Sequence, residues 1–274
     1  MPVEFETTVF ETNTFETIAL SRPAAHVLLV TLDRPERGNA MNTQMGLELR
    51  QLFMDLYVNP SDIRCLIVTG RGEKIFCAGG DLKQRNGMTD AEWQQQHAIF
   101  EQMIRGLRDC PIPVIGAING AAFAGGCEFA LGCDFLYAVE HARFAITEVT
   151  LGIMPGAGGT INLADAVGER KAREIIYTGT PFSAEQAHAW GLVNKLTSAD
   201  ALIDEALATA TKIASNAPLS IKQVKKSISV SQQVDKHSAY MFELEAYNRL
   251  VPTKDRLEGV SAFNEKRKPN FSGT

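Results

Sequence analysis

The sequence contains no stretch approaching the ~20 consecutive apolar residues that a membrane-spanning helix requires. Its opening residues, MPVEFETTVFETNTFET, lack the basic stretch and apolar core of a secretory signal. Basic residues are not in excess: a net charge of −5 leaves no footprint for nucleic acid and weakens any case for an anionic membrane surface. Cysteine is scarce. Cys65, Cys77, Cys110, Cys127 and Cys133 form no CxxC or CxxxH pair and lie mostly inside apolar runs. They read as reduced, buried thiols rather than a disulfide framework or zinc site. The five histidines are scattered, none four residues from another, so no metal constellation emerges. No GxSxG occurs, which removes the nucleophile elbow. These absences leave the expectation of a soluble, cytoplasmic protein.

What is present is an ordinary globular mixture, 45% hydrophobic and 22% charged, in 274 residues, enough for one large domain with an appendage. Residues 1–20 are polar and read as an extended lead-in. His26–Leu32 and Ile63–Thr69 are short β-branched runs that suit buried strands. Between them Met45, Leu49, Leu52, Phe53 and Leu56 recur at helical spacing, predicting a helix over Asn42–Tyr57. Thr89 with Glu92 reads as a capping box for a helix reaching about Arg108. Val114–Ile118, Phe135–Val139 and Arg143–Ile146 read as further strands. From Gly156 onward the pattern is helical, wholly so after Ala199, with helices over Ala201–Ser215, Leu219–Ile228, Val234–Leu250 and Thr253–Glu265. Alternating strands and helices followed by a helical tail predict an α/β core over 21–198 and a helical region over 199–274.

Residues 119–153 are mostly apolar or small, so the carboxylates of Glu128 and Glu148 stand out. Burying such a group costs several kcal/mol unless it is hydrogen-bonded, paired or protonated, and two in one apolar segment suggest acid–base work. Gly125, Gly126 and Glu128 form a GGxE unit at a strand-to-helix turn. There a free first-turn N–H and a carboxylate three residues on face the same way. Taken alone, a capping glutamate beside tightly packed glycines explains the unit equally well. The loop FCAGGD (76–81) offers a second set of free amides, with Lys83 close by, although a tight turn with a solvated lysine is the plainer reading. The cluster Gly152–Gly159 fits no nucleotide-binding fingerprint and reads as a wall near Glu148. Asp134 reads as a turn or salt-bridge residue, Trp93 and Trp190 as packing, and Lys222, Lys225 and Lys226 as one solvated helix face.

Six segments carry a wider resemblance: LDRPERGNAMN (32–42), FCAGGDLK (76–83), IGAINGAAFAGGCEFALGCD (115–134), FAITEVTLGIMPGAGGT (144–160), AHAWGLVNKL (187–196) and PTKDRLEGVSAFNEKRKP (252–269). In this order they resemble the crotonase family, the enoyl-CoA hydratases and isomerases, from about Val27 to Gly273. The last segment is most similar to short-chain enoyl-CoA and methylglutaconyl-CoA hydratases. The resemblance implies a spiral of strand–strand–helix turns with a C-terminal helical region that builds trimers, often paired into hexamers. It implies an oxyanion hole at the N–H groups of Gly80 and Gly125, and a catalytic glutamate pair at Glu128 and Glu148. It implies CoA contacts at Arg37, Ala40, Ala78, Gly80, Asp81, Leu82, Lys83 and Gly125, with Phe263 and Lys266 added from a neighbouring subunit. Hydratases of the family commonly carry Ala where Gly80 stands, and a lysine near Glu36.

The expected activity is addition of water across the 2,3 double bond of a 2-enoyl-CoA, as in β-oxidation. No metal or redox cofactor is needed, since CoA arrives with the substrate. An isomerase or another CoA-thioester lyase on the same scaffold is the alternative. An RNA-binding module with a vestigial acyl site is a remote one that the acidic charge disfavours.

Overall fold

The computed structural model describes residues 14–274. Most of the expected lead-in therefore lies outside the described residues. Its end does not behave as a loose extension, because strand β1 begins at Ile18. β1 (Ile18–Ala24) pairs antiparallel with β2 (Val27–Leu32). The buried carboxylate of Glu48 accepts the amides of Glu16 at 2.7 Å and Thr17 at 2.9 Å, tying the start of β1 down. Glu48 sits on α1 (Thr43–Val58), which Asn42 caps by accepting Met45 N–H; its buried stripe is Met45, Leu49, Leu52, Phe53 and Leu56.

β3 (Cys65–Gly70) is buried along its whole length, as a strand covered on both faces must be. The chain continues through β4 (Ile75–Cys77), the short α2 (Leu82–Arg85) and α3 (Asp90–Asp109), whose Thr89–Glu92 capping box is formed. β5 (Val114–Ile118), β6 (Ala121–Phe123) and α4 (Gly125–Leu131) follow, then β7 (Phe135–Val139) and β8 (Arg143–Ala145). Next come α5 (Gly159–Val167), α6 (Glu169–Thr178), β9 (Phe182–Ser183), α7 (Ala184–Ala189) and β10 (Lys195–Thr197). Four helices end the chain: α8 (Leu202–Ala214), α9 (Pro218–Ser231), α10 (Lys236–Leu250) and α11 (Lys254–Asn264).

The strands form two sheets, ordered β1-β2-β3-β5-β7-β10 and β4-β6-β8-β9. β3/β4, β5/β6 and β7/β8 each give one strand to the large sheet and one to the small, and successive turns pair parallel. This is the expected spiral. β4, β6, β9 and β10 are strands that the sequence pattern misses; with two or three residues each they have no period to read, and they exist because a neighbouring edge pairs with them.

Packing places the parts that matter for a site. Phe129 on α4 is fully buried, its ring 6.2 Å from Phe76 after β4 begins and 6.4 Å from Phe53 of α1. Burial of large apolar side chains fixes the pitch of the short helix that carries Glu128. Asp134 accepts Val114 N–H at 2.7 Å and pairs with Lys225 at 2.8 Å. Lys225 is thus a bridge from α9 to the core, not part of a solvated face. All five thiols are free, and four are buried. Among the described residues no helix is long and apolar enough to cross a membrane.

Candidate active site

Two loops leave the small sheet side by side because β4 and β6 pair in parallel, Ile75 with Ala121. Gly80 lies on the first and Gly125 at the start of the helix on the second. A Cβ placed on Gly125 would stand only 3.8 Å from the amide nitrogen of Gly80. Neither N–H donates to a protein acceptor among the described residues. Ala124, which sets the direction of the Gly125 amide, holds φ 48° and ψ −128°. An L-residue there carries about 1–3 kcal/mol of strain, a level met mainly where function demands a geometry. Its own N–H is pinned to Ala145 O at 2.8 Å, and its carbonyl takes the first helical bonds from Cys127 and Glu128.

Three residues past Gly125, Glu128 is buried beside the same opening. Its Oε1 accepts the amides of Ala157 and Gly159, both at 2.8 Å. Gly159 must be glycine for this contact, since a Cβ there would lie 2.8 Å from the same oxygen. Burial pushes Glu128 up from the usual carboxylate range, against the pull of these amides and of nearby His97. The Gly152–Gly159 segment therefore grips Glu128, whereas the sequence pointed to a wall near Glu148.

Glu148 follows β8 and opens a short 3-10 turn, Glu148–Leu151. Its Oε2 is buried with no hydrogen-bond partner. Burial, and then the charge of Glu128, push it up to about 7. At neutral pH such a group is readily a proton donor, while Glu128, held by two amides, is the better anion.

A stability prediction follows from Glu148. Its protonated form is favoured by folding, so the stability it contributes is complete below about pH 4.5 and lost as pH rises through about 7. Glu148→Gln should then be the more stable protein at pH 8, by about 1–3 kcal/mol, with the gap closing toward pH 5. Urea unfolding of both proteins at the two pH values checks this; a gap that is constant or reversed contradicts the burial of an ionised carboxyl.

The four groups open into one cavity of about 800 Å³. Apolar side chains make much of its wall, among them Leu82, Phe100 and Ile104 on one side and Leu151, Ile153 and Met154 on another. A cavity of this size and character, with few convergent polar groups, suits a small organic ligand. The sequence model of the enoyl-CoA hydratase/isomerase family matches residues 22–274. The chain belongs to that family.

Its relatives in the enoyl-CoA hydratase/isomerase family cover nearly the whole molecule. The chain is 38% identical over 242 residues to a short-chain-enoyl-CoA hydratase of Clostridium acetobutylicum, spanning 88% of this chain and 92% of the relative. It is 38% identical over 250 residues to a 2,3-dehydroadipyl-CoA hydratase of Escherichia coli, spanning 90% and 95%. A crystal structure of an enoyl-CoA hydratase from Bacillus anthracis superposes with a TM-score of 0.92 at 39% identity, covering 94% of this chain and all of that one.

Of the residues that the family resemblance assigns to CoA, Ala78, Gly80, Leu82 and Gly125 line the cavity. Asp81 does not. It pairs with Arg34 at 3.0 Å and caps α2 by accepting Lys83 and Gln84 N–H, so it shapes the loop. Ala40 is buried behind that loop, while Arg37 and Lys83 are exposed outside the cavity lining. Phe263 and Lys266 lie at the end of the helical tail, exposed and away from the cavity of their own chain. Arg85, Trp93 and His97 also line it. Sequence reading gave the stretch from Lys83 to His97 a part in shaping the pocket, assigned no role to Arg85 or His97, and took Trp93 for packing. Their only signal was membership of the polar stretch and helix that follow the FCAGGD loop.

Proposed function

We propose that the chain is an enoyl-CoA hydratase that adds water across the 2,3 double bond of a 2-enoyl-CoA thioester. The observation that carries this reading is the pair of neighbouring buried carboxyls, Glu128 and Glu148, in the same cavity as two adjacent unpartnered amides. The thioester oxygen accepts hydrogen bonds from Gly80 and Gly125 N–H. Those donors are best used on the enolate, where the charge develops. Glu128, ionised and held by Ala157 and Gly159, takes a proton from water as the water oxygen bonds to Cβ. Glu148, protonated, gives its proton to Cα as the enolate collapses. The proton gained by Glu128 then passes to Glu148, restoring both groups. No metal or redox cofactor enters the scheme. The relatives' names differ in the acyl tail, short-chain enoyl in one and 2,3-dehydroadipyl in the other, and share the 2-enoyl thioester.

The tail helices fit a homotrimer or a dimer of trimers. Tyr240, Leu244, Tyr247, Leu257, Val260 and Phe263 are exposed in the single chain, and such apolar area favours burial against another copy. Phe263 and Lys266 would reach the CoA of a neighbouring subunit in that assembly.

An isomerase needs the same oxyanion hole but only one carboxylate, so parallel assays separate the two readings. Hydration of crotonyl-CoA should exceed double-bond migration in trans-3-hexenoyl-CoA on the order of 100-fold in kcat/KM. Migration without hydration would reject the hydratase.

A further inference from the structure

Among the described residues, the one arginine that lines the cavity has no role in this chemistry. Arg85, the last residue of α2, lines the cavity among apolar neighbours, its guanidinium 4.3 Å from the Trp93 ring centre and 5.5 Å from that of Phe100. Its Nε donates to Gln96 Oε1 at 2.8 Å. Gln96 is itself buried, and its amide nitrogen donates at 2.8 Å to both Thr43 Oγ1 and Gln84 Oε1, so the fork is held from behind by a satisfied network. The two Nη nitrogens have no acceptor, and no carboxylate lies at ion-pair distance, among the described residues. Arg34, Arg71, Arg105, Arg173 and Arg267 have such a carboxylate, and the other described arginines that lack one lie outside the cavity lining.

The acids that share the cavity are committed elsewhere: Glu101 to Arg105, Glu128 to two amides, and Glu148 to proton donation. A half-buried guanidinium oriented by a buried network and left without an anion is arranged for one that arrives with a ligand. Its place says which ligand. A Cβ on Gly80 would stand 3.2 Å from Arg85 Cζ, so the fork lies against the residue whose amide is proposed to hold the thioester oxygen. The phosphates of CoA are held away from that oxygen by the long pantetheine arm. A second anion so near the reacting carbons belongs on the acyl group.

We infer that Arg85 is a specificity residue that recognises a terminal carboxylate, so that the preferred substrates are 2-enoyl thioesters of short diacids. This rests on the hydratase reading of the same cavity. The planar fork matches a carboxylate through two parallel N–H···O bonds, which a lysine cannot reproduce.

Glutaconyl-CoA, which is crotonyl-CoA with a carboxylate on its terminal carbon, gives the matched comparison, and trans-2-hexenoyl-CoA controls for length. The full-length protein should favour glutaconyl-CoA over trans-2-hexenoyl-CoA by on the order of 10-fold or more in kcat/KM. Arg85→Met should lower the glutaconyl-to-crotonyl ratio on the order of 100-fold, and Arg85→Lys by less. A ratio that stays constant while both rates fall together overturns the inference and makes Arg85 a support for the loop or the oxyanion hole. So does a wild-type protein that hydrates crotonyl-CoA but not glutaconyl-CoA. Binding of the unreactive thioesters glutaryl-CoA and butyryl-CoA separates this from the parent reading. Selective loss of glutaryl-CoA affinity in Arg85→Met, with no hydration of any enoyl thioester, keeps the carboxylate site and rejects the hydratase.

Discussion

Glu128→Gln and Glu148→Gln are each expected to lower kcat for crotonyl-CoA hydration by about 10³-fold, within the range that positioned acid–base groups supply. The amide at 148 cannot release the proton that Cα needs, and the amide at 128 cannot take one from water. Neither change removes the Gly80 and Gly125 donors, so KM should move far less than kcat. Because the two carboxyls serve one hydration step and pass one proton between them, the double variant should be little worse than either single one. Wild-type kcat/KM should also decline as pH passes about 7, where Glu148 loses its proton. Initial hydration rates of the three variants and the wild type test the scheme. If either single variant stays within a few-fold of wild type, the two-carboxyl mechanism fails.

Gly126→Ala should damage both fold and chemistry. A Cβ at this position would sit 2.2 Å from Cys77 O and 2.7 Å from Cys77 C, backbone atoms of β4 that cannot swing aside as a side chain can. The helix α4 must therefore back away from the strand. We expect a loss of stability on the order of 3 kcal/mol, at the upper end for overpacking. Both proposed oxyanion donors flank this contact, Gly125 immediately before it and Gly80 three residues beyond Cys77. Separating them should lower kcat by about 100-fold even where the variant is fully folded, as loss of one such donor does. The urea midpoint and the hydration rate, measured on the same sample, decide the matter. A variant that matches wild type in both would show that the two elements are not as rigidly opposed as their contact implies.

Several features of the fold were open to reading along the chain. The Met45–Leu56 stripe and the Thr89–Glu92 capping box are local patterns, and both elements start within a residue of expectation. The short strands β4, β6, β9 and β10 were not readable, since three residues or fewer carry no alternation. Lys225 looked like one more solvated lysine because its partner, Asp134, is 91 residues away. Glu128 and Glu148 stood out by their apolar surroundings. That the segment after Glu148 turns back to hold Glu128 had no local signature, because the holding groups are main-chain amides that every residue possesses.

The order of residues by itself determined the α/β class, the main helices and strands, and the small set of acids and glycines able to do chemistry. These depend on periodicity, capping and burial preference, which act over a few neighbouring positions. Only the tertiary structure decided that Gly80 lies beside Gly125, that the two glutamates open into one cavity, and that Arg85 lies against Gly80. The first two proximities come from parallel pairing between turns of a spiral, and pairing across tens of residues is set by the packing of the whole chain.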